Sequence, residues 1–258
     1  MAEKHILVTN DDGVQAPSML ALVRALRKIG RVSVVAPDRN WSASGHVKTI
    51  SRPLFVRETF LADGSPAYMT DGSPSDCVAL AKMGIIKEPI DLVVSGINPN
   101  ANLGDDITYS GTVTAAMEAV INGIPGVSFS LDSPPDGEPA DFDRAAQYAS
   151  AVVTQVLQKG LPKDVLLNVN IPFQPVVTVK GFRICRQGKR IYRDKLIEYQ
   201  DPRGNPFYWI GGETPLGEMT EGTDYQTLHE GYVAITPLQL DLTAEHFLSE
   251  LEDWEFSC

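Results

Sequence analysis

Three stretches of the sequence carry side chains suited to metal and phosphate chemistry. Asn10-Asp11-Asp12-Gly13 sets two carboxylates side by side, directly after the apolar run His5–Thr9. Adjacent carboxylates are hard oxygen donors of the kind Mg2+ and Mn2+ take. The plainer reading is an Asx turn with Gly13 at positive φ. The second stretch, Asp38–His46 (DRNWSASGH), follows another apolar run and offers Ser42, Ser44, Gly45 and His46 with no helical pattern. It reads as a solvated connector, or as a loop whose hydroxyl reaches a metal held at the first stretch. The third runs from Ser95 through Asn98, Asn100 and Asn102 to Asp106, and is rich in side chains that form turns and tolerate left-handed backbone. Just beyond it, Ser110-Gly111-Thr112 opens a helical pattern. Free backbone N–H groups, a glycine and two hydroxyls there make an anion cradle; ordinary N-capping by Ser110 is the alternative. Together the three stretches suit a divalent ion that bridges a phosphoryl oxygen and a water. No His/Cys cluster competes, which disfavours zinc.

These residues need a scaffold that gathers them. Short apolar runs alternate with helical patterns over the first two-thirds of the chain, the signature of βαβ units and a mostly parallel sheet. Strands are predicted at His5–Thr9, Val32–Ala36, Lys48–Arg57, Ala67–Thr70, Asp91–Ser95, Gly126–Ser130, Val165–Val169 and Gly231–Thr236. The first predicted helix carries Met19 to Ile29 and closes at Gly30; others begin at Ser73-Pro74, span Ser110–Ile121 and Phe142–Lys159, and close the chain over Thr243–Trp254. Asp132–Asp141 is acidic, proline-rich and predicted to be an exposed loop. From about Gly181 the pattern turns basic and aromatic: Arg183–Tyr199 and Phe207–Ile210 bracket a turn at Asp201–Pro206, and read as a projecting β-hairpin. The expected architecture is a Rossmann-like three-layer αβα fold with a mostly parallel sheet. Residues 1–180 form its core, 181–230 a projecting hairpin region, and 231–258 the last core strand and the C-terminal helix, all in one domain. In such a sheet, ligands bind at the carboxyl ends of the strands, and the three polar stretches all lie there.

Length and composition bound the function. At roughly 150 residues per domain, 258 residues suggest one large domain, or one domain plus an accessory element. With 22 Lys+Arg against 33 Asp+Glu the net charge is −11, which disfavours nucleic-acid polymers and anionic membranes as partners. No apolar run approaches a membrane span or the core of a signal peptide. The three cysteines, Cys77, Cys185 and Cys258, are far apart and in no metal-binding spacing. They read as reduced thiols of a cytoplasmic protein.

The stretches Ile6–Gly13 (ILVTNDDG), Ala36–His46 (APDRNWSASGH), Ser95–Asp106 (SGINPNANLGDD), Tyr109–Ala119 (YSGTVTAAMEA), Gly123–Ser130 (GIPGVSFS) and Glu230–Pro237 (EGYVAITP) resemble the SurE family of survival-protein nucleotidases, in order along nearly the whole chain. The resemblance implies a metal-dependent phosphatase acting on nucleoside 5′- and 3′-monophosphates, and on short polyphosphate. It implies one divalent ion per subunit, Mg2+ or Mn2+ with Ca2+ as a substitute in crystals, held by Asp11, Asp12, Ser42 and Asn98. Asp11 and Asp12 would be the catalytic residues, and Asn10, Asn102, Ser110, Gly111 and Thr112 would contact substrate or its phosphate. It also implies a homo-oligomer, dimer or tetramer, built by exchange of the hairpin and the C-terminal segment. One position departs from the family pattern: Asn100 stands where a glycine is common. Asparagine tolerates left-handed backbone best among the other residues, so the loop is expected to keep its shape.

Whether a water or one of the two aspartates attacks phosphorus is left open by these residues. His46 is a tempting acid for the leaving alkoxide, but a histidine in a tight loop more often serves as a brace. A receiver domain would need a lysine after its last parallel strand, where this chain has Ser130-Leu131-Asp132, and a dinucleotide-binding dehydrogenase would need GxGxxG where it has NDDG. A non-catalytic metal- or nucleotide-binding module is the remaining alternative.

Overall fold

In the computed structural model, which describes residues 3–133, 139–173 and 179–256, the apolar runs become the strands of one sheet. Its early strands are β1 (His5–Thr9), β2 (Arg31–Pro37), β3 (Val56–Phe60), β4 (Pro66–Thr70), β5 (Leu92–Asn98), β6 (Gly126–Leu131) and β7 (Val165–Ile171). The short strand β8 (Phe182–Ile184) and the late strand β13 (Val233–Gln239) complete it. The order is β3-β4-β2-β1-β5-β6-β7-β13-β8. All neighbours are parallel except β3–β4 and β13–β7.

Alternation along the strands makes three layers. Ile6 and Val8 face helices α1 (Pro17–Leu26) and α4 (Phe142–Lys159), whereas Leu7 faces α2 (Pro74–Leu80) and α3 (Gly111–Ile121). After β1 the chain winds outward one way through β2, and after α2 it returns to β5 on the other side of β1. The carboxyl ends of β1 and β5 therefore flank the point where strand order reverses, the crevice in which open α/β sheets bind ligands.

Several boundaries differ from the sequence reading. α1 ends at Leu26 with Arg27 as its C-cap, so Gly30 does not close it. A Cβ at Gly30 would stand 2.7 Å from the Lys4 carbonyl, so glycine is needed there for the close approach of β2 to β1. The strand predicted from Lys48 begins only at Val56, because side chains satisfy the backbone before it: Thr49 N–H donates to Asp76 and Phe55 N–H to Asp71. α2 has the predicted Ser73 cap as a reciprocal capping box with Asp76, and continues through a wider turn, Ala81–Ile85. α4 begins and ends where predicted. Of the predicted Asp132–Asp141 loop, 134–138 lie outside the described residues.

Between β8 and β13 the chain is more varied than a hairpin alone. β8 is the edge of the main sheet, and β9 (Arg190–Ile191) pairs with β12 (Leu216–Gly217). β10 (Asp194–Gln200) and β11 (Pro206–Gly212) pair only with each other, as the predicted hairpin. Helix α5 (Asp224–His229) precedes β13, and α6 (Glu245–Glu252) follows it with no buried residue.

Candidate metal and phosphate site

The loop after β1 is built by Asn10. Its amide donates to the Gly13 carbonyl at 2.9 Å and accepts from the Gly13 N–H at 3.1 Å. Asn10 is fully buried, so the side chain expected at the substrate shapes the turn that presents Asp11 and Asp12.

Asp11 is buried against the start of α3, and Thr112 Oγ1 donates to its carboxylate. Burial pushes the Asp11 carboxyl above the usual range, and the Thr112 hydrogen bond offsets part of this. Asp12 is raised to about 7, first by burial and second by the neighbouring charge of Asp11. Its Oδ2 is buried without a partner, and its Oδ1 receives only a long 3.4 Å contact from Asn40. Two desolvated carboxylates, one with an oxygen that has no hydrogen-bond partner among the described residues, are a donor set that a hard divalent cation would satisfy. Among the described residues no three His, Cys, Asp or Glu side chains cluster as a metal site, so neutral oxygens would have to complete such a shell.

α3 meets this pair end-on. Ser110 caps it by accepting the Val113 N–H at 3.1 Å. A Cβ at Gly111 would lie 2.8 Å from Asp11 Cβ and 3.2 Å from Pro74, so only glycine lets the helix N-terminus sit directly on the carboxylate. The positive end of α3 thus faces Asp11.

The other predicted ligands ride on loops tied to the same place. Trp41 N–H donates to the Asp11 carbonyl at 2.7 Å, and Gly45 N–H to the Tyr109 carbonyl at 2.9 Å. These bonds carry Ser42, which is exposed, over the end of β1. Asn98 ends β5 behind a break in register that starts at Ser95. Gly96 makes the break: its φ is +127°, and a Cβ would fall 2.3 Å from the Phe129 carbonyl. The Asn98 amide nitrogen donates to the Asn100 carbonyl. Among the described residues, neither Ser42 nor Asn98 is hydrogen-bonded to the carboxylate pair. Asn102 is a buried hub: its N–H donates to Asn170, its side-chain nitrogen to Ser130, and its carbonyl accepts from Asn168 and Asn170.

The family model described as survival protein SurE matches residues 6–194. A 5′-nucleotidase SurE of Chloroflexus aggregans is 51% identical, over 98% of this chain and 99% of its own. The chain belongs to the SurE family. Another 5′-nucleotidase SurE, from Herpetosiphon aurantiacus, is 50% identical over 93% of each chain. The crystal structure of a SurE protein from Aquifex aeolicus superposes with a TM-score of 0.81 at 44% identity, covering 96% of this chain and all of that one (100%).

Against the family pattern, Asn100 does not take up left-handed backbone. Its carboxamide accepts from Ser133 Oγ at 2.7 Å, tying the SurE loop after β5 to the end of β6. The residue beside Ser42 that does adopt positive φ is Ala43, at +56°. Sequence reasoning missed Asn168, Asn170 and Glu118. The first two alternate with apolar residues in a strand buried on both faces. Glu118 is the one charge in an otherwise apolar stretch of α3. Each had a visible signal, a polar residue where burial demands a partner.

Proposed function

We propose that this chain is a metal-dependent nucleotidase that hydrolyses nucleoside 5′-monophosphates to nucleoside and inorganic phosphate. The observation that carries the reading is the Asp12 Oδ2, buried without a hydrogen-bond partner among the described residues, next in sequence to Asp11, which packs on the N-terminus of α3. The 51% identity to a protein named as a 5′-nucleotidase over nearly the whole chain supports the same substrate class. Activity on 3′-monophosphates and short polyphosphate is part of the reading, since it needs the same phosphoryl cradle and little beyond it.

Asp11 and Asp12 would hold one divalent ion, Mg2+ or Mn2+, with Ser42 and Asn98 supplying neutral oxygens. When bound, the ion supplies Lewis-acid charge at the phosphoryl group. Asp11 is fixed by Thr112, and Asp12 keeps a free oxygen. Gly111 and Thr112, at the start of α3, present the positive helix end to the equatorial oxygens, where negative charge builds during in-line displacement. Ser110 holds that first turn in shape. Asn10 and Asn102 act one step back, as braces of the loops after β1 and β5. The burial that raises both carboxylates also excludes water that would screen the site.

We further infer a homo-oligomer. Leu196, Trp209 and Ile210 on β10–β11 are well exposed, and α6 carries Phe247, Leu248 and Leu251 with no residue buried, ending two residues short of the exposed Trp254, the end predicted from sequence. Both are apolar surfaces that exchange with a second copy would cover. Cys77 and Cys185 are unpaired, the state a reducing compartment maintains, and we place the protein in the cytoplasm. No helix among the described residues is long and apolar enough to cross a membrane.

Asp12→Asn tests the reading. Nucleotide phosphate release with Mn2+ or Mg2+ is expected to fall to background while the circular-dichroism spectrum is unchanged; retained turnover contradicts it.

A further inference from the structure

The loop that carries Ser42 has no regular structure between Asp38 and Phe55, and it includes Ala43 at a φ that L-residues rarely adopt. Something must hold it. Its far end is fastened to α3 by one carboxylate. Glu118 is 2% exposed, and both of its oxygens are taken: Oε2 by His46 Nε2 at 3.1 Å, and Oε1 by Lys48 Nζ at 2.9 Å and Asn122 Nδ2 at 2.9 Å. Four residues earlier on α3, the Thr114 hydroxyl lies 3.1 Å from the Gly45 carbonyl, and its one proton is shared with the Ser110 and Gly111 carbonyls of the helix at 2.9 and 3.3 Å. Four earlier again is Ser110, the cap of the cradle. Ser110, Thr114 and Glu118 recur at helical spacing and so lie along one face.

We infer that Glu118 is a positioning residue, and that its pairing with His46 latches the Ser42 loop to the same helix whose N-terminus meets Asp11. One rigid element then sets both halves of the site: α3 presents the cradle directly and holds the Ser42 loop through His46 and Lys48. A buried carboxylate with three donors is costly to leave half-paired, which keeps the latch closed. His46 Nε2 is engaged with Glu118, so the histidine acts through the loop and does not touch the reacting atoms. The inference rests on the reading of Ser42 as part of the metal site.

The test uses the full chain with Trp209→Phe and Trp254→Phe, which leaves Trp41, in the loop itself, as the only tryptophan of three. His46 is 31% exposed at its side chain, so His46→Leu should fold; His46→Gln keeps a donor at the end of the side chain. Mn2+ affinity is measured by calorimetry without substrate, Trp41 exposure by acrylamide quenching, and turnover alongside. With His46→Leu, Mn2+ affinity should fall about 10- to 100-fold, as for other groups that orient metal ligands, and quenching should rise. His46→Gln should restore both. Parent-like affinity and quenching in His46→Leu would overturn the latch alone. Lost turnover in His46→Gln with Mn2+ affinity intact would overturn it in favour of a leaving-group acid. A parent protein that binds no Mn2+ would overturn the metal reading, and this inference with it.

Discussion

At the scale of single residues, the site is a set of carboxylates and backbone groups held where water alone cannot satisfy them. Asp12 shows this most clearly. Its carboxyl is raised to about 7 from 3.8 by burial and by Asp11. A raised carboxyl favours the folded state while protonated, so its contribution is full below pH 3.8 and is lost as pH rises toward 7. The chelated protein should therefore lose stability between those values. Asp12→Asn should remove that dependence and melt several degrees higher than the parent at pH 8 without metal, as read by calorimetric melting in EDTA. Added Mn2+ should stabilise the parent at pH 8 and leave Asp12→Asn unmoved. Gly111→Ala makes a steric test of the same contact. Its methyl would press on Asp11 Cβ at 2.8 Å, so α3 must shift. Turnover is expected to fall by about 100-fold, in line with the cost of roughly 1 Å misplacement, while the melting temperature changes much less.

At the scale of elements, loops and the first turn of α3 carry the candidate site residues, and the sheet and helices place them. The loop after β5 is fixed by Asn168 and Asn170 on β7, both fully buried. Asn170→Leu would leave the Asn102 N–H without its acceptor and deprive the Asn102 carbonyl of a donor. It should cost ~2–4 kcal/mol in chemical denaturation, and lower metal affinity with it. Glu118 gives an acid-side counterpart. Burial alone would raise its carboxyl, but hydrogen bonds from His46, Lys48 and Asn122 outweigh it and hold the group at about 2, below its ordinary 4.5. Its stabilising contribution is present above pH 4.5 and lost as pH falls toward 2. Much of this scaffold was legible in the sequence. A short apolar run marked β1, helical patterns marked α3 and α4, and serine-proline chemistry marked the start of α2. The strand ends that carry Asp11, Asp12 and Asn98 followed from those patterns. What was not legible came from tertiary partners. The Gly30 approach to Lys4, the side-chain bonds that keep 48–55 out of the sheet, and the role of Asn102 as a brace depend on residues distant in sequence, whereas the Asn10–Gly13 turn is local and matches the Asx-turn reading of NDDG. Asn100 was read for its backbone tolerance, and the fold uses its carboxamide.

At the scale of the whole molecule, a net charge of −11 is compatible with the anionic ligand proposed for the site, because the local field at the end of α3 differs from the total. The proposed homo-oligomer belongs to the same scale. Leu196 and Ile210 stand opposite each other on the hairpin, 72% and 82% exposed. Leu196→Glu with Ile210→Glu should shift the mass measured by light scattering to a smaller species without changing secondary structure. The central claim, a metal-dependent phosphomonoesterase centred on Asp11 and Asp12, meets its most direct test in phosphate release from AMP or GMP with Mn2+ or Mg2+, measured before and after EDTA. Release that stops in EDTA and returns on adding metal is the predicted result; nucleotide binding without turnover, or turnover that persists in EDTA, would contradict it.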